Sequence, residues 1–370
     1  MPAGVSIAGA AGEPVGGLLA SFDRYGRGGE VSIRDSAPLV AVDGLTKRFP
    51  IAAGLFRKPT SFIHAVDDVS FRLGGSESLG LVGESGCGKT TVGKLLVKLL
   101  EPTGGSITYR LPAPAVGGHL AGSVESSNIR GRQLRMFRRQ AQMIFQDPYE
   151  SMNPRRTVYD TIAEPLAVQG IGDVLGRLDR VSEILHLVGL TPAGAFLFRR
   201  PHELSGGQRQ RVAIARALVI GPSFVVADEP TSMLDVSSRT GIMSLMQELA
   251  ERLGIAYLYI THDLAVARYM CHRIAVMYLG KIVEIGETEE LLRNPLHPYT
   301  RALLSAVPSP DPMRRREPPN IEGDLSLPID PPERCRFYDR CPMATEQCAN
   351  SPHPPAEEKA PAHWVACYEA

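Results

Sequence analysis

The sequence predicts an α/β fold built on a mainly parallel sheet, and two observations lead to that prediction. Short apolar runs typical of strands alternate along the chain with helical repeats of apolar residues, the pattern of parallel strands that are joined by helices. A glycine-rich turn at residues 83–90 lies between one such run, residues 78–82, and a helical stripe that begins at Val92. We therefore expect a strand, loop and helix unit whose turn lies at the carboxyl edge of the sheet.

The other predicted elements follow in chain order. Residues 1–38 are rich in Gly, Ala and Ser and are expected to form a flexible leader. Further strands are expected at 39–42, 66–71, 222–228 and 255–260, and helices at 92–100, 157–200 and 242–253. The last helix should end at Gly254, because glycine readily adopts the left-handed conformation of a helix end. Residues 111–132 have the composition of a surface loop.

Charge and hydropathy exclude several classes of protein. The 370 residues include 40 basic and 40 acidic side chains, and this neutrality argues against binding of nucleic acid through bulk electrostatics. No run approaches the ~18 uninterrupted apolar residues that a membrane-spanning helix needs. The first thirty residues also lack the basic-then-apolar pattern of a secretion signal. We expect a cytosolic chain that does not itself span a membrane.

The glycine-rich turn fits the phosphate-binding pattern G-x-x-x-x-G-K-[ST]. Its glycines let the backbone curl so that successive N–H groups point at a phosphate, beside the N-terminus of a helix. Lys89 is expected to reach the β- and γ-phosphates, and the Thr90 hydroxyl to ligate Mg²⁺. The residues assigned to nucleotide binding here are Gly83, Glu84, Ser85, Gly86, Cys87, Gly88, Lys89, Thr90 and Thr91.

A pair of carboxylates follows the apolar run 224–227. Asp228 ends this strand at the sheet edge where ligands bind, and it is the expected second partner of Mg²⁺. Glu229 comes next and is expected to polarise an attacking water, so that hydrolysis and not binding alone is predicted. An Asp-Glu pair after a strand is more often a solvated turn, and the accompanying phosphate loop is what favours the catalytic interpretation.

One string separates the classes of nucleotide enzyme that share a phosphate loop: Leu204-Ser205-Gly206-Gly207-Gln208. Ser205 is a favourable helix N-cap, and the glycines leave backbone N–H groups open to an anion. The sequence resembles the nucleotide-binding subunits of ABC transporters, whose signature is this string; a P-loop kinase or GTPase has no reason to carry it. The resemblance covers about residues 39–290. It implies an ABC-type P-loop ATPase core with an antiparallel β subdomain and a helical subdomain at about 150–222.

The same resemblance assigns roles to further positions. It implies that Ser205, Gly206, Gly207 and Gln208 bind the ATP held by the opposite subunit of a head-to-tail dimer. It makes Gln146 the glutamine that contacts Mg²⁺ and the attacking water, and His262 the histidine that contacts the γ-phosphate. Phe49 stands where the family has an aromatic ring that stacks on adenine. The implied catalytic residues are Glu229, His262 and Gln146, and the implied Mg²⁺ ligands are Thr90, Gln146 and Asp228.

Residues 294–300, which read NPLHPYT, resemble the His-Pro-Tyr element of the oligopeptide and dipeptide importer branch. Residues 84–88 and 147–155 are most similar to the second of that branch's two paired ATPases. The resemblance implies an ATPase that uses ATP hydrolysis to drive import of di- or oligopeptides or related small solutes, such as nickel, opines or sugars. It also implies a heterodimer with a second ABC ATPase subunit, two integral-membrane permeases and, indirectly, an extracytoplasmic solute-binding protein. The chain would then lie peripherally on the cytoplasmic face of the membrane.

The alternative is a soluble ABC ATPase of DNA repair or translation. Such proteins insert long coiled coils or carry two cassettes in one chain. Here 116 positions separate Lys89 from Ser205, and no second phosphate loop occurs in the sequence. The sequence therefore favours the importer subunit.

Four of the six cysteines lie in the last 36 residues, within a predicted C-terminal extension at 291–370. Their spacing, C-x5-C-x6-C-x18-C, lacks the tight C-x2–4-C pair that is usual in zinc sites, and disulfides are disfavoured in the cytosol. Four thiolates suit an iron–sulfur cluster. The resemblance to the importer branch implies a [4Fe–4S] cluster on Cys335, Cys341, Cys348 and Cys367, while zinc and unligated thiols stay open as alternatives.

Overall fold

A computed structural model describes residues 37–51, 60–111, 122–307, 321 and 327–370. Almost all of the predicted leader, and residues 112–121 of the predicted surface loop, lie outside the described residues. The strands are β1 (Val40–Pro50), β2 (Phe62–Leu73), β3 (Ser78–Val82), β4 (Gly104–Leu111), β5 (Gly122–Glu125), β6 (Ala141–Ile144), β7 (Phe224–Asp228), β8 (Ala256–Thr261), β9 (Arg273–Tyr278), β10 (Lys281–Glu287), β11 (Glu357–Ala360) and β12 (His363–Val365). The α-helices are α1 (Lys89–Leu96), α2 (Gly131–Gln140), α3 (Pro148–Ser151), α4 (Val158–Gln169), α5 (Val174–Leu187), α6 (Gly206–Leu218), α7 (Val236–Leu253), α8 (Leu264–Met270), α9 (Thr288–Arg293), α10 (Pro298–Ala306) and α11 (Glu346–Asn350).

The described strands form two sheets. The smaller is antiparallel, with the order β2-β1-β4-β5, and the larger has the order β11-β12-β10-β9-β3-β8-β7-β6. Within the larger sheet β9, β3, β8, β7 and β6 run parallel to one another, whereas β10, β12 and β11 are antiparallel additions at one side. The predicted α/β fold with a mainly parallel central sheet is confirmed.

The central strands follow from their composition. Every residue of β3, β7 and β8 is buried, as expected for parallel strands that are covered on both faces. Helix α7 buries the predicted apolar stripe and ends at Gly254, whose φ of 62° is left-handed as predicted. The helical pattern expected over 157–200 forms α4 and α5 as separate helices, because Gly170 and Gly172 take positive φ angles between them.

The antiparallel sheet contains more residues than the apolar runs in the sequence predicted. Strand β1 continues to Pro50 and strand β2 begins as early as Phe62, so both are longer than their apolar runs. The two strands pair with each other through these additional residues, several of which are polar. The loop predicted at 111–132 is wrong for residues 122–125, which form β5 and pair with β4. Strand β5 is mostly exposed and has no apolar run, so only its hydrogen bonds to β4 define it.

The C-terminal region packs against the sheet that carries the phosphate loop. One apolar cluster contains Val82 of β3 and Ile274 of β9 together with Tyr299, Cys335 and Phe337. Strand β12 extends the larger sheet by pairing with β10. The predicted domain boundaries at 38/39 and 290/291 stay predictions, but residues on both sides of the second one share this buried cluster.

Glu284 in β10 holds several parts of the C-terminal region together. Its carboxylate accepts hydrogen bonds from the backbone N–H groups of Leu296 (2.8 Å) and His297 (3.0 Å), and it lies 2.7 Å from Nε2 of His363. The side chains of His363 and Glu284 are only 1% and 0% exposed. This buried carboxylate therefore connects the start of α10 and strand β12 to the sheet.

We predict that Glu284→Ala lowers the free energy of unfolding by about 3 kcal/mol, because two backbone N–H groups and a buried imidazole lose their acceptor. Denaturant unfolding followed by circular dichroism measures this change. Glu357→Ala, at an exposed position of β11 in the same sheet, is the matched control and should change stability by less than about 0.5 kcal/mol. Equal stability of the two variants would contradict the structural role of Glu284.

Candidate active site

The phosphate loop joins β3 to α1, and two of its glycines are required by close backbone contacts. A Cβ atom at Gly88 would lie 2.0 Å from the carbonyl oxygen of Ala65, and φ at Gly88 is 109°. A Cβ atom at Gly83 would lie 2.1 Å from the carbonyl oxygen of Met277. Since Ala65 lies in β2 and Met277 in β9, only glycine lets the loop pass between both sheets.

Lys89, the first residue of α1, lies folded along the inside of this loop. Its ammonium group donates hydrogen bonds to the carbonyl oxygens of Gly83 (2.7 Å) and Glu84 (2.8 Å), and the residue is 5% exposed. A cation in this place, at the N-terminus of a helix, attracts a phosphate group. Cys87 beside it is buried, and burial raises the pKa of its thiol, as expected for a small loop residue and not a reactive one.

Thr90 and Asp228 meet at the carboxyl edge of the central sheet. The Thr90 hydroxyl donates a hydrogen bond to Oδ1 of Asp228 over 3.1 Å. Burial raises the pKa of Asp228, the hydrogen bond from Thr90 opposes this shift, and Glu229 adds to it. Hydroxyl and carboxylate oxygens are the ligand types that Mg²⁺ prefers, so the two residues fit the predicted metal site.

Two of the predicted catalytic residues, Gln146 and His262, both contact the carboxylate of the third, Glu229. Oε1 of Glu229 lies 3.0 Å from Nδ1 of His262, and Oε2 accepts a hydrogen bond of 3.2 Å from Nε2 of Gln146. These residues follow the ends of β7, β8 and β6, which places them at the same sheet edge. Glu229 has a φ of 44°, a conformation that costs a non-glycine residue roughly 1–3 kcal/mol and is most common at functional sites.

An open pocket lies above the phosphate loop. Its lining includes loop and α1 residues, the predicted catalytic residues Gln146 and Glu229, and an apolar side. The loop and α1 residues are Ser85, Gly86, Gly88, Lys89, Thr90 and Thr91, and the apolar side consists of Ile63, Ala65, Leu327 and Pro328. No sequence pattern pointed to Leu327 and Pro328, which reach the pocket from the C-terminal region, more than 200 positions beyond the loop.

Phe49 is not among the described residues that line this pocket. It lies near the end of β1 and is paired with Ile63 of β2, while the Lys47 ammonium lies 5.3 Å from its ring centre. Residues paired across strands share one face, so Phe49 lies beside the apolar side of the pocket, one strand farther from the phosphate loop. Its contact with adenine stays a prediction.

The signature, residues 204–208, lies outside the pocket above the phosphate loop. Ser205 caps α6 through a reciprocal pair of hydrogen bonds: its hydroxyl accepts from the Gln208 N–H (3.3 Å), and the Gln208 side chain accepts from the Ser205 N–H (3.0 Å). Ser205 is exposed, while Gly206, Gly207 and Gln208 are half-buried. In the described part of the chain, none of these four residues lines the pocket above the phosphate loop. The signature therefore presents a helix N-terminus away from the chain's own phosphate site.

The four C-terminal cysteines lie near one another. Burial is the chief cause that raises the pKa of Cys335 to about 11, and Cys348, Cys367 and Cys341 contribute to the rise. Yet the described residues contain no group of three or more His, Cys, Asp or Glu side chains arranged to hold a metal ion. The structure therefore does not support the predicted metal site on these cysteines.

Two regions of the chain match known families. Residues 66–232, which include the phosphate loop, Gln146, the signature and Glu229, match the ABC transporter family. Residues 283–348 match the C-terminal region of oligopeptide/dipeptide transporters. A putative peptide import ATP-binding protein of Brucella ovis is 44% identical over 330 residues, which cover 89% of this chain and 97% of the relative. The chain belongs to the ATP-binding proteins of ABC transporters.

Further comparisons agree with this assignment. The oligopeptide transport ATP-binding protein AppF of Bacillus subtilis is 44% identical over 87% of this ABC ATPase and 94% of its own length. The dipeptide transport ATP-binding protein DppF of Haemophilus influenzae is 42% identical over 91% of this chain and 98% of its own. A solved dimeric ATP-binding cassette in a post-hydrolysis state with ADP and Pi aligns with a TM-score of 0.56 and 28% identity, over 67% of this chain and 98% of that one. The resemblance inferred from the motifs is confirmed.

This ABC protein is an ATPase. Across residues 37–51, 60–111, 122–307 and 327–370, no helix is both long and apolar enough to cross a membrane.

Proposed function

We propose that this ATPase powers an importer of dipeptides or oligopeptides. The observation that carries the proposal is the convergence of Gln146 and His262 on Glu229, beside the hydrogen-bonded pair Thr90 and Asp228. The relatives named for peptide, oligopeptide and dipeptide transport support the choice of solute. They match this chain through its C-terminal region as well as its cassette, which favours an importer over a soluble ATPase of repair or translation.

The geometry supports a direct hydrolytic step. The phosphates of ATP would lie on the loop between Lys89 and the N-terminus of α1, and Mg²⁺ bound through Thr90 and Asp228 would supply charge neutralisation. Contacts to both oxygens fix the orientation of the Glu229 carboxylate. It would take a proton from a water molecule while that water attacks the γ-phosphorus, which leaves ADP and inorganic phosphate. Gln146 would help to place the water.

The position of the signature supports a dimer in which each site is shared. Ser205 and the glycines after it lie away from the pocket above the chain's own phosphate loop. The N–H groups of Gly206 and Gly207 would contact the γ-phosphate of an ATP held by a second ABC subunit, and that subunit's signature would complete the site in this chain. We propose a heterodimer with a second ATPase of the same branch. The dimeric arrangement of the structural relative supports association of two cassettes.

The remaining partners of the proposed importer are two integral-membrane permeases, with a solute-binding protein acting outside the membrane. This chain would then lie peripherally on the cytoplasmic face. Purification of the tagged chain from detergent-solubilised membranes tests the assembly. We expect two polytopic permeases and a second ABC ATPase to co-purify in stoichiometric amounts. Recovery with ribosomes or DNA, and without permeases, would contradict the proposal.

The finer part of the proposal is that Cys335, Cys341, Cys348 and Cys367 hold a [4Fe–4S] cluster. The support is that Cys335 and Cys348 are buried in one apolar cluster, against which Cys341 packs, and that the Cys335 N–H donates a hydrogen bond of 3.1 Å to the carbonyl oxygen of Cys348. Anaerobic purification followed by iron and sulfide assays and a visible spectrum tests it. We expect four irons per chain and a brown protein, and loss of both in Cys341→Ser. A colourless, iron-free chain that still hydrolyses ATP would overturn this part and leave the ATPase proposal intact.

A further inference from the structure

Glu84, the first residue after Gly83 in the phosphate loop, is held at three of its groups. Its backbone N–H donates a hydrogen bond of 2.9 Å to the hydroxyl of Tyr299. Its carboxylate accepts from one guanidinium nitrogen of Arg340, at 3.0 and 3.2 Å from the two oxygens. Its carbonyl oxygen accepts from the ammonium group of Lys89 at 2.8 Å. Two of these three contacts come from the C-terminal region and the third from the phosphate-binding lysine itself.

Both C-terminal contacts come from tightly packed side chains. Tyr299 is fully buried, and its ring lies 4.7 Å from that of Tyr278 and 5.5 Å from that of Phe337, measured between centroids. The Arg340 side chain is 13% exposed, and its guanidinium carbon lies 5.8 Å from the centre of the Tyr278 ring. Because packing fixes both side chains, neither pays much conformational entropy to hold Glu84.

We propose that Tyr299 and Arg340 are positioning residues for nucleotide binding. Through Glu84 they hold the start of the phosphate loop, and with it Lys89, in the shape that accepts the phosphates. A loop that is already held in its binding shape loses little conformational entropy when the nucleotide binds. The contacts therefore contribute to nucleotide affinity. Neither residue lines the pocket in the described part of the chain, so both act through Glu84 and not on the nucleotide.

The experiment measures the MgADP affinity of the full-length chain by calorimetry, and steady-state ATP hydrolysis by the complex in which this chain is paired with its second ATPase subunit. Tyr299→Phe removes the hydroxyl but keeps the ring, and Arg340→Gln removes the guanidinium. Each is expected to raise the Kd for MgADP and the KM for ATP about threefold to tenfold, the worth of one hydrogen bond. The kcat at saturating ATP should stay within about twofold, because neither side chain touches the reacting atoms.

Two matched controls come from the same region. The Tyr368 hydroxyl donates to the carbonyl oxygen of Pro352 (2.7 Å), and Arg334 pairs with Asp339 (2.8 Å), so neither contacts the phosphate loop. Tyr368→Phe and Arg334→Gln should keep the wild-type Kd for MgADP. Thermal unfolding of all four variants separates a loss of folding from a loss of affinity.

A double-mutant cycle checks the route through Glu84. Glu84→Gln should weaken MgADP binding about as much as Arg340→Gln, and the double variant should be little worse than either single one, because both changes remove the same contact. Additive losses, or a wild-type Kd in Tyr299→Phe and Arg340→Gln, would overturn the inference. If the conservative Arg340→Lys restores affinity only in the presence of Glu84, the contact itself is confirmed. The inference rests on ATP binding by this chain, and a wild-type chain that neither binds MgADP nor hydrolyses ATP when paired with its second ATPase subunit would instead overturn the proposed function.

Discussion

Replacement of Glu229 by glutamine is expected to lower ATP turnover by roughly 10²-fold to 10⁴-fold, the usual contribution of a general base. The amide keeps the size of the side chain and its contacts with Gln146 and His262, but it cannot take a proton from water. ATP binding should therefore survive. We expect the variant to hold ATP and to accumulate as a closed dimer with its partner ATPase, detected by size-exclusion chromatography and by retention of labelled ATP.

Glu248→Gln is the matched control, because Glu248 lies on an exposed part of α7 and the substitution makes the same chemical change. It should keep wild-type turnover. A Glu229→Gln chain with full turnover would show that another group acts as the base. A chain that has lost ATP binding as well would show instead that Glu229 serves chiefly to hold the shape of the site.

The second large effect is expected at the phosphate loop. Lys89→Gln should weaken ATP binding about 100-fold, because it removes charge-assisted hydrogen bonds to two phosphate groups. It also leaves the carbonyl oxygens of Gly83 and Glu84 without their cation. Equilibrium binding of a fluorescent ATP analogue measures the loss, and hydrolysis at sub-saturating ATP should fall in the same proportion.

Lys359→Gln makes the same charge change at an exposed position of β11 and should bind the analogue like the wild type. The two variants distinguish the predicted binding role of Lys89 from the predicted catalytic role of Glu229. Lys89→Gln should lose affinity, whereas Glu229→Gln should lose turnover while bound. Similar affinity in Lys89→Gln and Lys359→Gln would contradict the assignment of Lys89 to the phosphates.

The sequence was sufficient to predict those parts of the site that depend on local geometry. The phosphate loop follows from glycines at fixed spacing between a strand and a helix, and Asp228 and Glu229 follow from the end of a buried strand. Ser205 and Gln208 are three positions apart, so their capping pair is also local. Parallel strands then bring the separate strand ends to one edge, which is why Gln146 and Glu229 meet.

Contacts between distant segments could not be predicted in this way. Tyr299 and Arg340 contact Glu84 across 215 and 256 positions, and neither residue belongs to a pattern with a local geometric meaning for the loop. The pairing of β12 with β10 and the approach of Leu327 to the pocket likewise depend on how the C-terminal region folds back onto the sheet. The adenine contact expected at Phe49 came from resemblance alone, and the described pocket does not include it.

The most direct test of the proposed import function is uptake of a radiolabelled tripeptide by cells whose only copy of this chain is wild type or Glu229→Gln, with immunoblots to equalise protein levels. An importer driven by ATP hydrolysis at this site predicts uptake above background in wild-type cells, competition by unlabelled di- and oligopeptides, and background uptake in the variant. Equal uptake in both strains would contradict the proposal.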